Sequence, residues 1–273
     1  MSDWHSVHKR PPVYDATLRE RILRHGEMVR VCGSSSTAAL TRFVWGELQR
    51  AFDCDDPAQA QYRFSASEYF ERLSRLRVAL REHFVAQHLI RGMLREFGAD
   101  LAGLRCDFLR LRAVQSGGHK NPLAANAYLL HRDTWYANPQ AQVNWWLAVS
   151  DVREEEGPGF FPALYQSPVH NSSALFDYAT WKRLGGWQCP NSAKHFPTVT
   201  DEPRGTEKRL SAQAGDLWFF AGQHLHGTRA HDSGRTRFSL ELRVIHHDDS
   251  THAAPCNVDN ASRGDASTDY VAP

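Results

Sequence analysis

The chain has 273 residues, 41% of them hydrophobic, and its 32 Lys and Arg against 31 Asp and Glu give a formal net charge of +1. That length and apolar content suit one large domain with a substantial core, and exclude a disordered chain or a disulfide scaffold. A charge so near zero argues against nucleic acid or an anionic membrane as the main partner, and no run approaches the roughly 20 apolar residues of a membrane span.

Residues 1 to about 12 read as a loose arm, and the N-terminal MSDWHSVHKRPPVYD lacks the apolar core of a signal peptide. Asp15 to Arg24 has helical character, and EMVRVC, Glu27 to Cys32, reads as a short strand. The spacing of Leu40, Phe43, Val44, Leu48 and Ala51 predicts an amphipathic helix from about Ala38 to Phe52, capped by the Ser-rich run before it. A second, longer helix follows the Ser65–Glu68 capping box and runs to Gly98, with Phe70, Leu73, Leu76, Leu80, Phe84, Leu89 and Leu94 along one face. Basic residues from Arg72 to Arg95 alternate with those leucines and are expected on its solvated side.

From about residue 104 the pattern changes to strands: CDFLRLRAV, QVNWWLAVSDV, DLWFF and FSLELRVIH, separated by Gly, Pro, Asn and Asp. Helices followed by many short strands give an α+β, mainly β expectation: a single domain of residues 1–273, with a mostly helical part (1–103) supporting a distorted double-sheet barrel (104–247). A long irregular segment, 157–215, carries Tyr178, Trp181 and Trp187 and is expected to work as a lid or binding loop. Residues 248–273, rich in Asp, Ser, Thr, Ala and Asn, read as a weakly ordered tail. Cys32, Cys54, Cys106, Cys189 and Cys256 are odd in number and show no ligand spacing, which fits free thiols in a reducing cytoplasm.

Two passages carry the chemistry. In YLLHRDTWY, His131 and Asp133 are two apart, so on a strand they face the same way while Arg132 points the other. In FFAGQHLHGTRAHDSGRTRF, His224 and His226 are also two apart, and either can supply a third ligand. His226 is favoured because the HGT turn that follows places Arg237 on the next strand, facing back inward. Two imidazoles and a carboxylate form a facial set that suits iron(II), manganese or zinc and leaves coordination positions open. An arginine nearby adds specificity: its planar fork can hold the far carboxylate of a 2-oxo acid that chelates the metal. Arg237 is the first choice and Arg235 the competitor. The pair His246–His247 is assigned to chance or the surface.

Taken together, HRD, WWLAVSDV, EEEGPGFFPALYQSPV, GDLWFFAGQHLHGT and RTRFSLELRV resemble the phytanoyl-CoA dioxygenase-like family of iron(II)/2-oxoglutarate-dependent oxygenases, in order, over residues 105–247. The resemblance implies a double-stranded β-helix, a jelly-roll of cupin type. It implies Fe(II) on His131, Asp133 and His226, with 2-oxoglutarate on Arg237 and O2 as co-reactant. Tyr128, Trp146 and Gln115 would stand beside the cosubstrate. Halogenases of the superfamily replace the carboxylate ligand by Gly or Ala; Asp133 is retained, so hydroxylation or a related oxidation of a C–H bond is implied, with release of succinate and CO2. The aromatic-rich TWYANPQAQVNWW departs from the family pattern and puts a fatty acyl-CoA substrate in doubt. Trp135, Tyr136 and Asn144, with Asn138, Trp181 and Trp187 behind them, are the candidate contacts to a small polar or ring-bearing metabolite. Two other readings compete: a non-oxidative metal-dependent cupin-type enzyme, and a non-catalytic metal- or ligand-binding barrel.

Overall fold

The structure is a computed structural model that describes residues 4–121, 124, 127–186, 196–251 and 259–273. The expectation for Trp187, and those for Cys189 and Cys256, lie outside the described residues.

Four helices form the N-terminal layer. α1 (Ala16–His25) starts where the Asp15 carboxylate accepts from the Leu18 N–H, and stops at Gly26, whose φ of 65° suits a residue with no Cβ. α2 (Ser35–Phe52) begins three residues before the expected start, because Ser34 and Thr37 close a reciprocal capping box. The long second helix is two: α3 (Ala66–Glu82) and α4 (Phe84–Glu96), split where His83 takes an extended ψ of 112° and caps α4 through Nδ1. The break carries no Gly or Pro, so the apolar stripe reads straight through it; Phe84, expected on that stripe, is 76% exposed. Arg72 and Arg75 pair with Glu68 and Glu71 on the solvated face, whereas Arg77 turns inward and donates from Nε to the Leu111 carbonyl.

These helices cover one face of a seven-stranded sheet. Its strands are β1 (Ser6–His8), β2 (Val29–Val31), β3 (Leu104–Cys106), β4 (Arg110–Val114), β5 (Val143–Ala148), β8 (Leu217–Ala221) and β10 (Arg237–His246), after the intervening β6 (Gly159–Phe160), β7 (Lys208–Arg209) and β9 (His226–Gly227) are assigned to a second sheet. The order is β1-β2-β8-β5-β10-β3, and β4 also pairs with the first half of β10. All pairs are antiparallel except β1–β2. The small sheet runs β7-β6-β9 and is extended by a bridge between His131 and His226.

Side-chain parity decides what faces where. Val143, Trp145 and Leu147 of β5, Leu217, Phe219 and Ala221 of β8, and Phe238, Leu240, Leu242 and Val244 of β10 pack on the helices. Trp146, Ala148, Trp218 and Phe220 point the opposite way and enclose a second apolar cluster with Phe160 of the small sheet. On β10 that inward parity belongs to Arg237, Ser239, Glu241 and Arg243, so one wall of the interior is polar.

The 157–215 segment is less irregular than expected: it contributes β6, β7 and the short helix α5 (Tyr178–Arg183). The C-terminal expectation is overturned for residues 259–273. Val271 bridges Cys106, Tyr270 is buried, and the Asp259 carboxylate pairs with Arg132 at 3.0 Å. Among the described residues no helix is long and apolar enough to cross a membrane. Cys32, Cys54 and Cys106 are free thiols.

Candidate metal centre

His131, Asp133 and His226 converge: each offers a ligand atom within 4.8 Å of the others. The two histidines face across the bridge that joins their backbones, N–H to carbonyl at 2.9 Å in both directions, with ring centroids 4.7 Å apart. Each ring donates from Nδ1 to a carbonyl two residues back, His131 to Leu129 (2.8 Å) and His226 to His224 (2.9 Å). A carbonyl only accepts, so Nδ1 carries the proton and the Nε2 lone pair is free for a metal. Burial, then repulsion from His131, brings the His226 pKa down to about 4, so its imidazole is neutral at physiological pH.

Asp133 opens a short 3-10 turn (Asp133–Tyr136) and is wholly buried. Oδ1 stands 3.7 Å from His131 Nε2 and accepts from Arg243 Nη2 at 2.8 Å. Oδ2 accepts from the side-chain amides of Gln142 (2.9 Å) and Asn144 (2.6 Å). Burial alone would raise its pKa; Arg243 and the two histidines hold it well below the usual carboxylate range. Behind Arg243 lies Glu241, bonded to Arg243 Nε at 2.9 Å and to Arg112 at 3.3 Å. A chain of alternating charges thus runs from the half-exposed Arg112 to the Asp133 carboxylate.

The two arginines differ in their partners. Arg235 is spent on Glu156: Nε to Oε1 at 2.7 Å and Nη2 to Oε2 at 2.8 Å. Arg237 is buried on the inward face of β10, and its Nε and Nη1 have no acceptor among the described residues. A guanidinium stripped of water without a counter-ion is costly, and burial lowers its pKa to about 10, which still leaves it charged at neutral pH. Trp146 lies 5.7 Å beneath it, ring to Cζ. Tyr128 is near enough to interact with its charge, and the Tyr128 hydroxyl and the Gln115 Cβ both stand against Gly118. Ser239, two residues on and on the same face, is fully buried, and its hydroxyl has no partner among the described residues.

The Glu156–Arg235 pair has a pH signature. Burial raises the Glu156 pKa, but hydrogen bonds from Arg235 and the Arg153 N–H bring it from 4.5 to about 2. A depressed carboxylate stabilises the fold above its unfolded pKa and loses that contribution as pH falls through the folded value. Acid unfolding between about pH 4.5 and 2 should therefore flatten in Glu156→Gln, measured by urea titration at each pH, while the neutral-pH metal site stays intact.

Other expected residues fall elsewhere. His224 is buried and bonds through Nδ1 to the Ala221 carbonyl and through Nε2 to that of Gly26, outside the site. Trp135 does not face a substrate: the turn swings it away, fully buried, with Nε1 donating to Asp259 at 2.9 Å. Asn144 does not either; it is committed to Asp133. Tyr136 remains beside the metal site, its ring 5.3 Å from that of His131 and packed with Phe176 and Phe196. His246 and His247, with Asp248, form a second cluster at the end of β10, away from these residues; against the surface reading, His246 is buried and only His247 and Asp248 are exposed.

No family model matches the sequence, and no curated protein does. Among solved structures, EvdO2 from Micromonospora carbonacea var. aurantiaca is similar with a TM-score of 0.50 and 10% identity, over 87% of this chain and 93% of that one. The non-heme alpha ketoglutarate dependent carbocyclase SnoK of nogalamycin biosynthesis has 15% identity over 85% of each chain with a TM-score of 0.46. The epimerase SnoN, crystallised with Fe3+, alpha ketoglutarate and nogalamycin RO, has 17% identity over 85% of each chain with a TM-score of 0.45. At these identities the likeness to EvdO2 is one of fold.

Proposed function

We propose that the chain is an iron(II)/2-oxoglutarate-dependent oxygenase, related to the phytanoyl-CoA dioxygenase-like enzymes, that oxidises an unactivated C–H bond of a small metabolite. The two sheets would be the halves of a double-stranded β-helix, with His131, Asp133 and His226 as the iron ligands at its mouth. The observation that carries the reading is the pairing of that donor set with one buried guanidinium, Arg237, whose Nε and Nη1 find no partner among the described residues. EvdO2, similar in fold, has been crystallised with 2-oxoglutarate.

The bound iron and 2-oxo acid would supply the oxidising chemistry, with succinate and CO2 as co-products. The chain's own work is placement. His131 and His226 present Nε2, each ring held through Nδ1, and Asp133 presents Oδ1 while Gln142 and Asn144 occupy Oδ2. Arg237 and Ser239 are set to take the distal carboxylate of the cosubstrate, with Trp146 and Tyr128 as flanking walls. Tyr136, Phe176 and Phe196 form an apolar wall beside His131 that would keep water from the reacting carbon. A non-oxidative metal enzyme or a non-catalytic barrel leaves Arg237 without a purpose.

Anaerobic addition of Fe(II) and 2-oxoglutarate should give a visible metal-to-ligand charge-transfer band. His226→Ala should lose it, and His224→Ala should keep it. A band that survives His226→Ala would overturn the ligand assignment.

A further inference from the structure

The C-terminal segment, polar in composition and distant in sequence, reaches the metal carboxylate through one hydroxyl. Tyr270 is 7% exposed, and its OH donates to Gln142 Oε1 at 2.8 Å, with a longer contact to Asn138 Oδ1 at 3.4 Å. Both amides then turn their nitrogens to the same residue: Gln142 Nε2 donates to Asp133 Oδ2 at 2.9 Å, and Asn138 Nδ2 to the Asp133 carbonyl at 2.9 Å. A side-chain amide has one accepting and one donating end. Satisfying Oε1 from Tyr270 therefore fixes which end of Gln142 meets the carboxylate. Were the amide reversed, its oxygen would face Asp133 Oδ2, and Gln142 Nε2 would also lose Asn144 Oδ1, now at 2.7 Å.

The same segment grips the ligand turn twice more. The Ala266 N–H donates to the Ala137 carbonyl at 2.9 Å, directly after the turn, where Ala137 holds a φ of +58° that an L side chain rarely adopts. The Asp259 carboxylate holds both Arg132, between the two ligands, and Trp135 Nε1 at 2.9 Å.

We propose that Tyr270 is a positioning residue for the metal carboxylate, orienting the Gln142 and Asn138 amides onto Asp133 and so coupling metal binding to docking of the C-terminal segment. This rests on the reading of His131, Asp133 and His226 as metal ligands. Coupling is reciprocal: what the docked segment adds to metal affinity, the metal returns as protection of the segment.

The test uses Co(II), a spectroscopic probe for this donor set, titrated into the metal-free full-length protein. Tyr270→Phe removes only the hydroxyl, and should weaken Co(II) binding about tenfold and alter the visible d–d spectrum. Tyr178→Phe is the control. Its hydroxyl bonds Asp269 but does not face Gln142, and Lys182 still holds Asp269 at 2.7 Å in that variant, so the segment stays docked and affinity and spectrum should be unchanged. Hydrogen exchange should show Co(II) protecting residues 266–271 in the wild type and not in Tyr270→Phe. Unchanged affinity in Tyr270→Phe, or equal weakening in both variants, overturns the proposal while the metal site stands. Wild-type protein that takes up no Co(II) overturns both.

Discussion

Arg237→Ala should weaken 2-oxoglutarate binding by about 2–5 kcal/mol, the cost of leaving one member of a desolvated charge pair alone. That is roughly thirtyfold to several-thousandfold in Kd, read by anaerobic titration of the charge-transfer band with iron present. Iron affinity without cosubstrate should hardly change, since Arg237 bonds none of the three ligands. The metal-free fold should lose little and can gain, because the substitution removes a buried guanidinium whose Nε and Nη1 have no acceptor among the described residues. Arg235→Ala should do the opposite: it leaves the fully buried Glu156 carboxylate without its counter-charge, though still held by the Arg153 N–H, and destabilises the fold, yet leaves cosubstrate affinity alone. Arg237→Lys should recover only part of the binding, since an ammonium cannot present the paired donors of a guanidinium. If Arg237→Ala bound the cosubstrate as the wild type does, the proposed chemistry would lose its main support.

How much of this was readable from the sequence follows from geometry. His131, Asp133 and His226 were accessible because i and i+2 share a strand face, and the structure brings all three together. The same parity rule, carried along β10 from Arg237, selects Ser239, Glu241 and Arg243 as inward-facing, and carried along β5 it turns Asn144 toward Asp133 rather than toward a substrate. Trp135 was misplaced for a different reason. The chain leaves strand geometry at Asp133 for a 3-10 turn, where successive side chains rotate by about 120° rather than alternate. The C-terminal segment escaped because composition measures how much can be buried, not which residues are. Asp259 and Tyr270 anchor it through specific hydrogen bonds that few apolar residues announce. The break at His83 has a local cause, a side-chain cap, with no Gly or Pro to mark it.

Asp133→Ala should abolish metal binding and, separately, unsettle the metal-free protein, because the carboxylate does two jobs. It is the proposed anionic ligand, and it is also the partner of Arg243, whose side chain is 8% exposed. Removing one member of a buried pair costs about 3–5 kcal/mol. Here the low end is expected, because Glu241 still holds Arg243 Nε at 2.9 Å. Arg243→Met separates the two roles. Asp133 keeps its bonds from Gln142 and Asn144 but loses its counter-charge, so the metal-free protein is again destabilised while all three ligands remain. Divalent metal should then restore stability to Arg243→Met, by roughly 2.7 kcal/mol at a concentration a hundredfold above Kd, and restore nothing to Asp133→Ala. The double variant should be less destabilised than the two single losses summed, since neither charge is left facing an empty partner. Thermal unfolding with and without Co(II) measures all four corners. A stable Asp133→Ala protein that still shifts its Tm with metal would show that the ion is held elsewhere and that the Arg243–Asp133 pair only fills the interior between the sheets.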